Sequence, residues 1–275
     1  MSERHWARRA TYALLTAPSP LIDHQTGGRT RVVDGLTFSA LALNGPTFNI
    51  VAVTGTPPDR ERLETLASEF FGANAPSFGV ILEGDDPANA GLQAELSQRG
   101  WRIVEEEPAM ILSDLQPLDR TSVPAMLMVE VVKTPEELDV FFALVLEIFK
   151  LTPELLAGLA TAPSALDDPR LFFLLGRTAG VPVAIALGAM VEEAVTIYGV
   201  GVRSTRRRQG FGTAMTVAAV REGIRRGATL AVLRANPLSQ PLYERLGFRV
   251  VCLHRTWAFP EPEPATPLKS DGMNG

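Results

Sequence analysis

Short runs of alternating or continuous apolar residues, rich in Val, Ile, Phe and Tyr, recur through the second half of the chain. Between them the apolar period lengthens to that of a helix. This pattern predicts strands over 127–132, 171–177, 183–190, 194–202, 229–235 and 248–259. It predicts helices over 135–149, 210–226 and 239–246, and a short one near 153–159. Thr134 followed by Glu137 reads as a capping box at the start of the first helix, and Gly227 as the stop of the second. Ala179-Gly180 and Glu192-Glu193 mark turns of a strand meander. In the first half the pattern opens on an amphipathic helix. It then gives a strand over 48–55, helices over 59–71 and 88–99 with a strand at 78–83 between them, and a further strand after Gly100.

The two halves echo one another. Gly100-Trp101-Arg102-Ile103-Val104 matches Gly247-Phe248-Arg249-Val250-Val251 at an offset of 147 residues, which also lays 48–55 on 195–202. The order strand, helix, strand, helix, strand is the same between these anchors, so the chain reads as a two-unit repeat.

The most informative stretch is 194–213. An apolar strand runs into Arg203-Ser204-Thr205-Arg206-Arg207-Arg208-Gln209-Gly210-Phe211-Gly212-Thr213 and then a helix. The first turn of a helix leaves backbone N–H groups without partners at the positive end of its dipole, which makes an anion site. Glycines at 210 and 212 allow a phosphate close approach, and the arginines add charge. A Walker loop is excluded because no Lys-Ser/Thr follows Gly212. A dinucleotide fingerprint fails because Ser204 stands at the third glycine position after Gly199 and Gly201. Arg207, Gly210 and Gly212 do match an Arg/Gln-x-x-Gly-x-Gly signature. Downstream, 236–248 carries Asn236, Leu242-Tyr243 and Gly247-Phe248.

With these two blocks in this order, the chain resembles the GNAT superfamily of acyl-CoA-dependent N-acetyltransferases. The resemblance implies an α+β fold: a mixed, largely antiparallel sheet with helices on both faces, in two tandem GNAT-like domains. These would be a degenerate N-terminal domain at 1–120 without an acyl-CoA loop, a catalytic domain at 126–260, and a disordered tail at 261–275. The boundary falls in 113–124, where Pro117 and Pro124 cluster with polar residues. In the first half the stretch matching the phosphate loop is 56–64. It has Pro57, Pro58, Asp59, Glu61 and Glu64 and no glycine, so it would repel a pyrophosphate.

By the same resemblance acetyl-CoA, or a related acyl-CoA, is the co-substrate. Its expected contacts are Val200, Val202, Arg207, Arg208, Gln209, Gly210, Phe211, Gly212, Thr213 and Asn236. The N–H of Val200 would polarise the thioester carbonyl, and Tyr243 would protonate the departing thiolate. Other readings stand beside these: Gly199 and Gly201 easing a twist, Asn236 as a turn residue before Pro237, Tyr243 as a core tyrosine. No general base declares itself. Glu192, Glu193, Glu147 and His254 are the candidates, and Tyr198 on the strand before the loop would line the acceptor site.

Composition narrows the classes further. The 275 residues are 46% hydrophobic and 21% charged, with a net charge of −5, which argues against nucleic acid or an anionic membrane as partner. Cys252 is the single cysteine and His5, His24 and His254 the only histidines, so neither a disulfide nor a metal site is expected. Arg8-Arg9 precedes an apolar run too short for an export signal, and no stretch spans a bilayer, which suggests a cytoplasmic protein. The expectation is an N-acetyltransferase acting on a primary amine, carried by a small molecule, in a monomer or homodimer. The alternative is a non-catalytic acyl-CoA-binding sensor or scaffold.

Overall fold

The computed structural model describes residues 2–259 apart from 42, 44, 47, 73–76, 120, 122 and 153–160. The helix expected near 153–159 and the tail at 261–275 lie outside the described residues.

The first half runs α1 (Glu3–Thr16), α2 (Pro18–Asp23), β1 (Arg29–Val33), β2 (Leu36–Ala40), β3 (Asn49–Val53), α3 (Arg60–Phe71), β4 (Gly79–Glu83), α4 (Ala90–Gln98) and β5 (Arg102–Leu112). After α5 (Gln116–Asp119), the second half runs β6 (Met128–Val131), α6 (Pro135–Phe149), β7 (Leu171–Thr178), β8 (Val181–Val191), β9 (Ala194–Val202), α7 (Phe211–Arg225), β10 (Leu230–Arg234), α8 (Gln240–Arg245) and β11 (Arg249–Ala258). The local chemistry explains many of the ends. Thr134 accepts the N–H of Glu137, while the Glu137 carboxylate accepts the N–H of Lys133. The turns at Ala179-Gly180 and Glu192 take positive φ. The hairpin β1–β2, not anticipated from the apolar pattern, turns on Asp34 and Gly35 at φ 51° and 74°. That Asp-Gly pair was its readable signal.

All the strands join one 11-stranded sheet in the order β1-β2-β3-β4-β11-β5-β10-β9-β8-β7-β6. Only β3–β4 and β9–β10 pair in parallel. The fold is α+β, a mixed and largely antiparallel sheet with helices on both faces. The last strand of each half has crossed over: β11 sits beside β4, and β5 sits beside β10. β5 and β11 pair with each other at the centre, including His254 opposite Glu107.

On one face α3 and α4 bury Leu63, Leu66 and Leu96 against Phe38, Val80 and Leu82. Farther along it α7 buries Phe211, Val217 and Val220 against Phe172, Val195 and Met110. On the opposite face α1 lays Ala7, Ala10 and Leu14 over Ala109, Val232 and Cys252. There α6 packs Phe141 and Leu144 on Phe173 and Leu175. The small residues of α1 let it lie close across strands from both halves.

Candidate active site

The parallel ladder between β9 and β10 ends at Thr196–Val232, although β9 continues to Val202 and β10 to Arg234. β10 stays with β5, and β9 stays with β8, so the two strands part. On the β8 side the register slips. Tyr198 faces Leu187 and Gly201 faces Ile185, leaving Gly199 and Val200 together opposite Ala186. This is a β-bulge, with Gly199 at φ +54°. Val200 and Val202, both half-buried, therefore lie in a stretch of β9 without ladder partners on its β10 side.

The chain leaves β9 through a 3-10 turn at Ser204–Arg206. It enters α7 with Arg208 at φ +60° and Gly210 at φ +78°. Gly210 offers no side chain to cap the helix, and the first turn of α7 holds no acidic residue. Arg207 donates to the carbonyl of Val202 at 3.3 Å. Arg206 and Arg208 are exposed and, among the described residues, carry no ion-pair partner. Gln209 is exposed, Thr213 is half-buried, and Phe211 is buried in the core beneath. Positive charge thus surrounds an open helix N-terminus.

The counterpart helix in the first half is closed. Asp59 caps α3 and accepts the N–H of Arg62 at 2.8 Å, while Glu95 accepts the N–H of Arg60 at 3.3 Å. One helix start is bare and ringed by arginine; the other is occupied by the protein's own carboxylates.

A Cβ on Gly212 would meet Leu242 of α8 at 3.4 Å, so α8 docks on the start of α7. This brings Tyr243 to the same end of the sheet. Tyr243 is 8% exposed, its ring 6.0 Å from Phe248, and burial raises its pKa, keeping the phenol protonated. Asn236 occupies the turn before α8, its Oδ1 accepting the N–H groups of Leu238 and Ser239 at 3.0 Å each. Its carbonyl oxygen is thus committed to the turn.

Tyr198, expected to line the acceptor site, and the candidates for the base are differently placed. The Tyr198 hydroxyl donates to the carbonyl of Leu14 at 3.0 Å and pins the end of α1, while burial pushes its pKa up. Glu147 pairs with Arg203 at 2.9 Å, and Glu193 pairs with Arg9. Glu192 sits in the β8–β9 turn, at the far end of β9 from the bulge. His254 is 1% exposed under α1, with Nε2 3.0 Å from the Thr11 hydroxyl and Nδ1 unpartnered. Burial lowers its pKa to about 3, so it is neutral. Cys252 is a buried core thiol pushed up to about 12.

The sequence reading missed Glu107. It lies on β5 beside the end of β10 and pairs with Arg234 at 3.2 Å. Burial raises its pKa, and Arg234 offsets part of that rise. The run Glu105-Glu106-Glu107 was visible, but nothing local indicates that this strand crosses to the second half. Among the described residues no cluster of His, Cys, Asp and Glu could hold a metal ion, and no helix is long and apolar enough to cross a membrane.

Residues 141–248 match the family model of the acetyltransferase (GNAT) family. No curated protein matches the chain. Among solved structures, a GCN5-related N-acetyltransferase from Kribbella flavida is 24% identical with a TM-score of 0.69, over 93% of this chain and 96% of that one. A functionally unknown conserved protein from Staphylococcus epidermidis is 14% identical with a TM-score of 0.62, over 87% and 97%. A tandem GNAT protein from the clavulanic acid biosynthesis pathway is 13% identical with a TM-score of 0.60, over 94% and 95%. Residues 141–248 are thus similar to the acetyltransferase (GNAT) family, and nearly the whole chain shares the fold of GNAT proteins.

Proposed function

We propose that the chain is an N-acetyltransferase that takes an acyl group from acetyl-CoA, or a related acyl-CoA, and transfers it to a primary amine on a small molecule. The observation that carries this reading is the contrast between the two helix starts. The α7 end keeps its N–H groups open beneath Arg206 and Arg208, while the α3 end is filled by Asp59. Only the second half can then hold a pyrophosphate, on the backbone of 209–213. The sheet still divides in function at 113–124, with 1–120 a supporting half and 126–260 the catalytic one.

The pantetheine arm would enter where β9 and β10 part, because unpaired strand edges accept a peptide-like chain. Asn236 has its side-chain N–H groups free for the arm's carbonyls among the described residues. In this reading Val200 N–H supports the developing oxyanion, and Tyr243, held protonated by burial, supplies the proton to the thiolate. Glu107 is the proposed acceptor of the amine proton. It is a carboxylate of raised pKa, paired with Arg234 at the end of β10 beyond the point where β9 and β10 part. The test is turnover with a panel of primary amines and acetyl-CoA, followed as release of free thiol. Acetylation of an amine supports the reading; tight acetyl-CoA binding without turnover of any amine favours a sensor instead.

A further inference from the structure

A cavity of about 550 Å³ lies at the opposite end of the strands from the notch where β9 and β10 part. It sits beside α1 over the carboxyl ends of β3 and β4, and the β8–β9 turn closes its far side. Its size is that of a small-molecule site. Glu83 lies at its floor, 8% exposed, and its carboxylate accepts from the Thr11 hydroxyl at 3.1 Å. Among the described residues no cation stands within ion-pair distance of Glu83. Arg4, the nearest in charge influence, is spent on Asp86. A buried carboxylate without a cation is costly, and burial accordingly raises its pKa.

The other half shows what is missing. Glu107, which faces His254 across β5–β11, has Arg234 as its cation, whereas Glu83, which faces His254 across β4–β11, has none. At the rim of the same cavity the reverse holds. Arg8 is exposed and, among the described residues, unpaired, while Arg9 is held by Glu193. Arg8 stands three residues before Thr11 on α1, so it lies on the same side of the helix about one turn (~5 Å) away. One site therefore holds a buried anion without a cation and a free cation at its mouth, a short distance apart.

We infer that this cavity binds a small zwitterionic amine of the α-amino acid class, with its ammonium group on Glu83 and its carboxylate on Arg8. The site binds without acyl transfer, because the helix start that would serve it is closed by Asp59 and Glu95. It is separate from the acyl-CoA notch and does not rest on that reading.

The experiment is calorimetric titration of each of the twenty standard α-amino acids into the full chain, its Glu83→Gln and Arg8→Ala variants, and a Glu107→Gln variant. Circular dichroism first establishes that each is folded; Arg8 is exposed and Glu83→Gln is close to isosteric. The expected result is saturable binding of at least one amino acid. Binding should weaken about tenfold or more in Glu83→Gln and in Arg8→Ala, and stay unchanged in Glu107→Gln. The corresponding decarboxylated amine should bind more weakly than the amino acid. No binding by any amino acid, binding insensitive to either Glu83 or Arg8, or binding lost only in Glu107→Gln would overturn the inference.

Discussion

Glu107 and His254 oppose each other on β5 and β11 and stand 147 residues apart, the offset that also relates Trp101 to Phe248. By that offset they match one another in the two halves, and they meet where β5 and β11 pair. Each half thereby places its last strand beside the other half's strands, and a side chain from the first half, Glu107, pairs with Arg234 of the second. His254 reaches the Thr11–Glu83 cluster in return.

His254 should make stability depend on pH in a definite direction. Its folded pKa of about 3 lies below the ordinary 6.5. Between those values the unfolded chain binds a proton that the folded chain does not, so this contribution falls as pH falls through the window. Thr11 and Glu83 face it from α1 and β4, and Glu107 and Arg234 flank it from β5 and β10. The raised carboxyls of Glu83 and Glu107 act oppositely, losing their contribution as pH rises. The difference between wild type and His254→Gln isolates the imidazole. In urea titrations it should shift against the wild type as pH drops from 6.5 toward 3, and a difference constant with pH would refute this.

Gly223 in α7 tests packing against propensity. Alanine gains about 1 kcal/mol in helix propensity. Its Cβ, however, would stand 2.6 Å from Val195. Overpacking of that kind costs about 1–3 kcal/mol and outweighs the gain. Gly223→Ala should lower the denaturation midpoint.

Gly199 isolates backbone strain. Nothing lies within 4 Å of a Cβ there, yet φ is +54°. Gly199→Ala should cost about 1 kcal/mol through the backbone alone, and Gly199→Val more. Both should reduce turnover beyond what lost stability explains, because the bulge would relax. Unchanged stability in both variants would show that the bulge does not need glycine.

Asp59 is the matching test in the first half. Removing its cap in Asp59→Ala should cost about 1 kcal/mol by denaturation. Acetyl-CoA affinity should not change if the second half holds the ligand, as proposed. A gain of a second acetyl-CoA equivalent would contradict the division of roles.

Much of this was legible in the chain. The strands of the second half, the capped start of α6 and the Gly210–Gly212 entry to α7 follow from local chemistry, and the structure has them where the pattern predicts. β1 and β2 were missed although Asp34-Gly35 signalled their turn, because β1 is an edge strand with a mostly exposed, polar pattern. The exchange of β5 and β11 was not legible at all. Both strands carry the same pattern, and which neighbour each takes depends on contacts far apart in sequence. With it went Glu107, whose neighbourhood exists only after the exchange. Tyr198 illustrates a further limit. Its residue type admits a place in the acceptor site, but a partner fixed by the fold, the Leu14 carbonyl, engages its hydroxyl.

The most direct test of the central claim is calorimetric titration of acetyl-CoA into the wild type and Gly212→Asp. The substitution suits the fold: a Cβ meets only Leu242, at ordinary contact distance, and an acid in the first turn of a helix is stabilising. It gives α7 an acidic first turn, as Glu61 gives α3. The account predicts saturable binding to the wild type. In the variant it predicts affinity at least about tenfold lower with stability retained. No binding to the wild type, or equal binding by both, would contradict it.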